Sequence, residues 1–300
     1  MQTINLGLIG YGEVGRTFCA GLKSQVASVQ AWDIKLNAEA AVAAPLRERA
    51  AQDGVVLCDS PAGLYARADL ILSAVTASHT VEVAREAGRH IRPGAIFLDL
   101  NSASPGAKRE AAGLIEAAGA VYVEAGVMTS VPPYGIRVPM LLGGARAEAL
   151  AQTLCGLGMD AKAVSEELGV ASAIKMCRSV MIKGLEALVI ESYTTARAYG
   201  VEDHVLPTLQ ETFPSIDWSE QGAYFYSRVV QHGRRRAEEM REVANTVREA
   251  GFEPLMAAAT AAKQDWVASL AAQGVFDGMD KKSAWQVYAD RLLAHASKKT

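Results

Sequence analysis

Cysteine and histidine are scarce in this chain of 300 residues, and neither is clustered. The four cysteines, Cys19, Cys58, Cys155 and Cys177, stand far apart with no CxxC or Cys/His spacing. That excludes a zinc finger and a disulfide framework, and the thiols read as reduced core residues. The five histidines, at 79, 90, 204, 232 and 295, form no ligand pattern, so no metal is expected. Aromatic residues are only 6% of the chain and the formal net charge is −3. Without a basic excess there is no electrostatic footprint for nucleic acid or an anionic membrane surface. No apolar run is long and clean enough to span a bilayer. The best candidate, Met176 to Gly200, is interrupted by Arg178, Lys183, Glu186 and Glu191, and reads as a long helix in water. The first apolar run begins within a few residues of Met1, with no room for a signal peptide, so a cytoplasmic location is expected.

Apolar residues make up 50% of the chain, ample for a large core and, at this length, for two domains. Short apolar runs alternate with helical patterns at Ile4 to Ile9, Val29 to Trp32, Val55 to Leu57, Leu70 to Val75, Ala95 to Leu98 and Val121 to Val123. This alternation predicts a doubly wound parallel sheet of the α/β class. Val138 to Leu142 and Ala161 to Val164 extend it. From Val170 onward no strand period remains, and the rest reads as all-α, with breaks near Gly200, Pro207, Pro214, Gly251 to Pro254 and Gly274 to Gly278. The expected domains are a dinucleotide-binding domain at 1–165 and a helical substrate and dimerisation domain at 166–300. Lys298 and Lys299 read as a frayed basic end. With no flexible linker, a ligand cleft is expected where the two domains meet.

The first run leads into Gly10-Tyr11-Gly12-Glu13-Val14-Gly15 and then an amphipathic segment. A bare GxGxxG is weak, but strand, tight turn and helix in this order are what a dinucleotide clamp requires. Gly10 allows the turn, Gly12 lets the backbone approach a pyrophosphate, and Gly15 lets the helix of Val14, Phe18 and Leu22 lie close to the strand. The amides of that helix N-terminus face the phosphates. Asp33 follows the second run about 20 residues on, where a carboxylate accepts the ribose hydroxyls of NAD. Lys35 lies near enough to meet a 2′-phosphate, so the cofactor is NAD or NADP.

Other strand ends carry small polar residues. Val75-Thr76 and Asp99-Leu100-Asn101-Ser102-Ala103-Ser104-Pro105 should both open toward the cofactor. Ser104 and Pro105 also read as the N-cap and first turn of the next helix. Asn101 and Ser102 are the candidates for holding the nicotinamide ribose or the reacting substrate. The helix from Val170 presents Lys175, Arg178, Ser179, Ile182, Lys183 and Glu186 at spacings of three and four, broadly on one face. Small residues around Lys175 permit close approach to the sheet, and partial burial brings a lysine toward acid/base use. The competing reading is a solvated face with Lys183 and Glu186 paired.

Together the clamp, Asp99 to Pro105, Val123-Glu124-Ala125-Gly126-Val127 and Gly169 to Ser179 resemble the β-hydroxyacid dehydrogenase family, which includes 3-hydroxyisobutyrate and 6-phosphogluconate dehydrogenases. The resemblance spans about the first 200 residues. It implies an Asp-x-Ser-Thr-x-x-Pro segment beside the nicotinamide, matched by Asp99, Ser102 and Pro105, with Asn101 in place of the first hydroxyl residue. It implies that Lys175 is the catalytic acid/base. The family's asparagine one turn later is Ser179 here, preceded by Arg178. Its Asp-x-Pro-Val-Ser-Gly-Gly loop is replaced by Glu124-Ala125-Gly126-Val127-Met128-Thr129-Ser130, and Met128, Thr129, Tyr134 and Arg137 give that pocket another shape and polarity. The family's Lys-Asp pair aligns with Glu238-Glu239, just after Arg234, Arg235 and Arg236, one of which could supply the cation. The second half resembles the helical domain of phosphogluconate-dehydrogenase-like proteins.

The resemblance implies an NAD(P)-dependent oxidoreductase moving a hydride to or from a small, polar, anionic β-hydroxyacid-like substrate. Lys175 is the acid/base, and Met128, Thr129, Ser130, Arg178, Ser179 and Lys183 fix the substrate. Gly10, Tyr11, Gly12, Glu13, Val14, Gly15, Asp33, Val75, Thr76, Asn101 and Ser102 hold the cofactor. A homodimer through the long helix is expected. The alternatives are an imine or other carbonyl reductase and a non-catalytic dinucleotide-sensing protein.

Overall fold

The computed structural model describes residues 4–297, so Lys298 and Lys299 lie outside the described residues. The chain divides into two compact units, one ending at Met176 and the other beginning at Cys177. The first carries strands β1 (Asn5–Ile9), β2 (Ser28–Trp32), β3 (Val56–Leu57), β4 (Leu70–Ser73), β5 (Ile96–Asp99), β6 (Val121–Val127), β7 (Met140–Gly143) and β8 (Ala161–Ser165). Between them run helices α1 (Glu13–Leu22), α2 (Ala40–Asp53), α3 (Pro61–Tyr65), α4 (Thr80–Gly88), α5 (Pro105–Glu116) and α6 (Ala147–Gly156). Helix α7 (Val170–Tyr199) begins in this unit and continues into the second. The second unit adds α8 (Glu202–Thr212), α9 (Trp218–Glu249), α10 (Leu255–Ala272) and α11 (Trp285–Ala296).

The eight strands form one sheet in the order β3-β2-β1-β4-β5-β6-β7-β8. Strand side chains alternate between its faces, and each face has its own core. Leu6, Leu8, Leu72, Leu98 and Val123 pack with Phe18 and Leu22 of α1 and Leu150 and Leu154 of α6. Ile9, Ile71, Phe97 and Tyr122 pack with Leu64 of α3, Ala84 of α4 and Ile115 of α5. Because both faces are covered, the central strands read as unbroken apolar runs. The sheet is therefore doubly wound, of the Rossmann type, followed by an all-helical region. The second unit has an aromatic core in which Tyr193 meets Trp285 edge to face at 4.8 Å and Tyr226 stacks on Tyr288 at 5.7 Å.

Three expectations need correction. The sheet is not wholly parallel: β7 runs antiparallel to β6, and β8 is parallel to β7. Residues 128–139 hold only the short 3-10 turn Gly135–Arg137, and a parallel return needs a full crossover. Pro207 does not break a helix but lies inside α8, at the cost of one backbone hydrogen bond. Of the four free thiols, Cys19 and Cys58 are buried, but Cys155 and Cys177 are exposed, on the outward faces of α6 and α7. No helix among the described residues is long and apolar enough to cross a membrane.

Candidate active site

Strands β1, β4, β5 and β6 run in one direction, so the segments that leave their carboxyl ends gather along one edge of the sheet. The first is the glycine loop. Gly10 has φ +89°, and a Cβ there would stand 2.3 Å from the Ala74 carbonyl oxygen. A Cβ on Gly15 would stand 2.1 Å from the carbonyl oxygen of Gly10. The protein's own packing requires both glycines. Gly12 is different, since a Cβ there would meet nothing within 4 Å. It leaves space at the N-terminus of α1, where backbone amides collect, the kind of setting that receives phosphate groups.

Asp33, at the end of β2, is buried and accepts from the Tyr11 amide at 2.8 Å and the Lys35 amide at 3.0 Å. It ties the glycine loop to the turn that follows β2, and each oxygen keeps a lone pair able to accept from a hydroxyl. Tyr11 offers the cofactor only its backbone. Its side chain is fully buried and its hydroxyl donates to Asp53 at 2.8 Å. Burial and that carboxylate push the phenol above its usual range. Glu13 and Lys35 are exposed and Val14 is half-buried.

At the ends of β4 and β5, Asn101 is buried and accepts from the Val75 amide at 2.8 Å while donating to Ser73 Oγ at 3.1 Å. It joins the two loops. Thr76 is exposed and its hydroxyl meets His79 Nδ1 at 2.7 Å. Ser104 caps α5 through the Ala107 amide with Pro105 in the first turn, as expected. Ser102, half-buried, accepts a 2.6 Å hydrogen bond from Lys175 Nζ. Residues 73 apart in sequence thus meet at the sheet edge that carries the glycine loop. Lys175 reaches it because β6 beneath offers only Gly126, whose built Cβ would be 3.5 Å from Lys175 Cβ and 2.9 Å from the Ala171 carbonyl oxygen. Met128 and Ser130 are half-buried and Thr129 exposed in the loop that follows β6.

Under these loops lies a network that sequence reasoning missed. Asp99 accepts from the Lys108 amine at 3.0 Å, the Tyr122 hydroxyl at 2.6 Å and the Asn101 amide at 2.9 Å. Lys108, fully buried, also donates to the Asp99 carbonyl. Burial and then the Asp99 charge hold the Tyr122 phenol well above its usual range, so it remains a donor. The available signal was the stripe Lys108, Ala111, Ala112, Ile115, which puts a lysine on the sheet-facing side of α5.

In the second unit, Arg178 is exposed and Ser179 buried. Lys183, expected on substrate, is only 6% exposed and its amine pairs with Glu239, which also takes Arg235. Burial pushes the Lys183 amine down, while Glu239 pulls it back. Lys183 and Glu186 are not partners: Glu186 pairs with Arg236, and Gln264 donates to it at 3.4 Å. Arg236 is therefore not part of an exposed basic turn, because the helical period of α9 turns it inward while Arg234 and Arg235 stay exposed.

Residues 5–153 match the NAD binding domain of 6-phosphogluconate dehydrogenase, and residues 196–267 match a domain of unknown function, DUF1932. A conserved hypothetical protein of known structure from Sinorhizobium meliloti 1021 is 38% identical, with 97% of this chain and 96% of that chain covered and a TM-score of 0.75. A conserved protein of unknown function, described as structurally similar to 3-hydroxyacid dehydrogenases, is 33% identical over 90% of this chain and 99% of its own, with a TM-score of 0.68. Likeness of fold alone extends to the Mycobacterium tuberculosis 3-hydroxyisobutyrate dehydrogenase with L-serine, at 15% identity, 97% and 99% coverage and a TM-score of 0.67. It extends also to an imine reductase from Myxococcus stipitatus with NADP+, at 21% identity, 92% and 96% coverage and a TM-score of 0.54. These two domain matches, with relatives 38% and 33% identical over nearly the whole chain, make this chain a member of the NAD-binding dehydrogenase family that joins a 6-phosphogluconate dehydrogenase-type domain to a DUF1932 domain.

Proposed function

We propose that the protein is an NAD(P)-dependent dehydrogenase acting on the CH–OH group of a small, polar, anionic β-hydroxyacid-like substrate, with a cofactor-binding domain at 1–165 and a helical substrate domain at 166–300. The observation that carries this reading is the 2.6 Å contact between Lys175 Nζ and Ser102 Oγ, on the same sheet edge as the glycine loop. The bound cofactor supplies hydride exchange at nicotinamide C4. Lys175, as the neutral amine, takes the hydroxyl proton as hydride leaves the carbinol carbon, and as the ammonium returns it in the reverse direction. Ser102 orients the reacting oxygen, and Asn101 holds the Val75 and Ser102 loops at a fixed separation. Gly12 and the α1 amides receive the pyrophosphate and Asp33 the ribose. Met128, Thr129 and Ser130 with Arg178 and Ser179 bind the substrate, and Lys183 enters that set only with Glu239 as its partner. The same chemistry needs no metal, membrane or nucleic acid.

A second reading, reduction of an imine or another carbonyl, is supported by the absence of the family's glycine pair from Glu124 to Ser130 and by the fold shared with an imine reductase. The test follows reduced nicotinamide absorbance across β-hydroxyacids, their oxo forms and cyclic imines, with NAD and NADP in both redox states. Turnover confined to hydroxyacids and oxoacids is the expected result. Turnover of imines alone overturns it in favour of the second reading, and tight cofactor binding with no turnover favours a dinucleotide-sensing role.

The homodimer is also proposed. Helix α10 is apolar nearly all round, and Leu255, Met256 and Trp266 face outward along with Met181 and Leu188 of α7. Large apolar side chains exposed in such number on two helices support an interface. Light scattering should give twice the chain mass, and a monomer at micromolar concentration would remove the proposal.

A further inference from the structure

Strand β6 presents Glu124 and Gly126 on one face, two residues apart. Gly126 makes room for the first turns of α7. Glu124, fully buried, reaches their start: its Oε1 accepts from the Gly169 amide at 2.8 Å and the Ala171 amide at 3.0 Å. A helix start is usually capped by a neighbouring Ser, Thr, Asp or Asn. Here the cap comes from 45 residues away, and its second oxygen, Oε2, finds no hydrogen-bond partner among the described residues. No cation is paired with Glu124 among those residues. Its charge is met by the amides and by the positive end of the helix dipole. Room for it is kept by its β7 neighbour Gly143, where a built Cβ would stand 2.6 Å from Oε1.

Glu124 is also the β6 neighbour of Asp99 in the sheet register. Asp99 fixes the Ser102 loop through the Asn101 amide, and Glu124 fixes the start of the helix that brings Lys175 to Ser102. Two adjacent buried carboxylates therefore each hold one half of the same hydrogen-bonded pair.

We propose that Glu124 is a positioning residue, setting through the Gly169 and Ala171 amides the depth at which Lys175 meets Ser102. The proposal rests on the reading of Lys175 as acid/base for its catalytic meaning, but the placement of the amine is testable without turnover. Lysines of the full chain are reductively methylated with carbon-13 formaldehyde, and the Lys175 resonance is assigned by its loss in Lys175→Ala. In wild type it should stand apart from those of exposed lysines. In Glu124→Ala it should collapse onto them, and Glu124→Gln, which keeps an acceptor oxygen, should restore it. Gly143→Ala crowds the carboxylate without removing it and should reproduce the collapse if the alanine variant fails to fold.

On the best substrate from the panel, Glu124→Ala should lower kcat on the order of a hundredfold, the scale of an ångström of misplacement. The KM for the cofactor should not move. A Lys175 resonance unchanged in both Glu124→Ala and Gly143→Ala overturns the proposal, as does a Gln variant that fails to rescue it. If the resonance shifts but Lys175→Ala retains turnover, the placement stands and the acid/base reading falls.

Discussion

Lys175→Ala is expected to lower turnover by about a hundred- to ten-thousandfold, the contribution of a positioned acid/base, with cofactor affinity nearly unchanged. The asymmetry follows from where the residue sits. Lys175 contacts Ser102 beyond the end of β5, whereas the positions proposed for the pyrophosphate and ribose lie at Gly12, the α1 amides and Asp33. Truncation removes the amine proposed to take the hydroxyl proton and leaves the glycine loop intact. Because proton transfer matters in the transition state, the loss should fall equally on kcat and kcat/KM. Initial rates and a nicotinamide fluorescence titration measure the two effects. A variant that keeps its rate within about tenfold of wild type is below the range expected of general acid/base catalysis and would sink the mechanism.

The second large effect concerns stability. Arg236→Met should destabilise the helical unit by about 3–5 kcal/mol, the penalty for leaving a buried charge without its partner. Glu186 is 2% exposed and takes Arg236 as its ion partner, with Gln264 the weaker donor at 3.4 Å. Removing the guanidinium leaves a buried carboxylate whose remaining side-chain donor among the described residues is Gln264. The neighbouring pair supplies the control, because Glu239 is shared by Lys183 and Arg235 and the loss of exposed Arg235 leaves it Lys183. Arg235→Met should therefore cost about 1 kcal/mol or less. Of the four tryptophans, Trp218, Trp266 and Trp285 lie in the second unit, so fluorescence in urea reports chiefly on it. A cost below about 1 kcal/mol for Arg236→Met would show that the pair is not buried as described. Replacing Glu186 and Arg236 together with apolar residues of similar size should recover most of the loss.

The strands were legible because burial on both faces of the sheet leaves an unbroken apolar run, and each of the eight runs read from the sequence became a strand. Direction was harder, since apolar content is the same in either sense. The clue to β7 was the stretch Val131-Pro132-Pro133-Tyr134-Gly135, which cannot form the crossover helix that a parallel return demands. The glycine loop was legible because its three glycines do separable work, two against the protein's own carbonyls and one against open space. Asn101 was visible as a strand-end residue, but not its engagement with the Val75 amide and Ser73, which depends on the β4–β5 register. The partners of Glu186 and Lys183 were hidden for a related reason. Spacing along one helix shows which residues share a face, and nothing about the charges that a helix 50 residues later brings to it.

The closed network beneath the Ser102 loop has an evolutionary consequence. Asp99, Lys108 and Tyr122 satisfy one another where water does not reach. Losing any one strands a buried partner, and repairing that defect takes a second change at another of the three positions. Substitution within this network is therefore expected to be concerted, while exposed positions such as Thr129 and Arg178, proposed to meet the substrate, are free to change one at a time. A lineage built on this scaffold can change its exposed loops far more readily than the place where Lys175 meets Ser102.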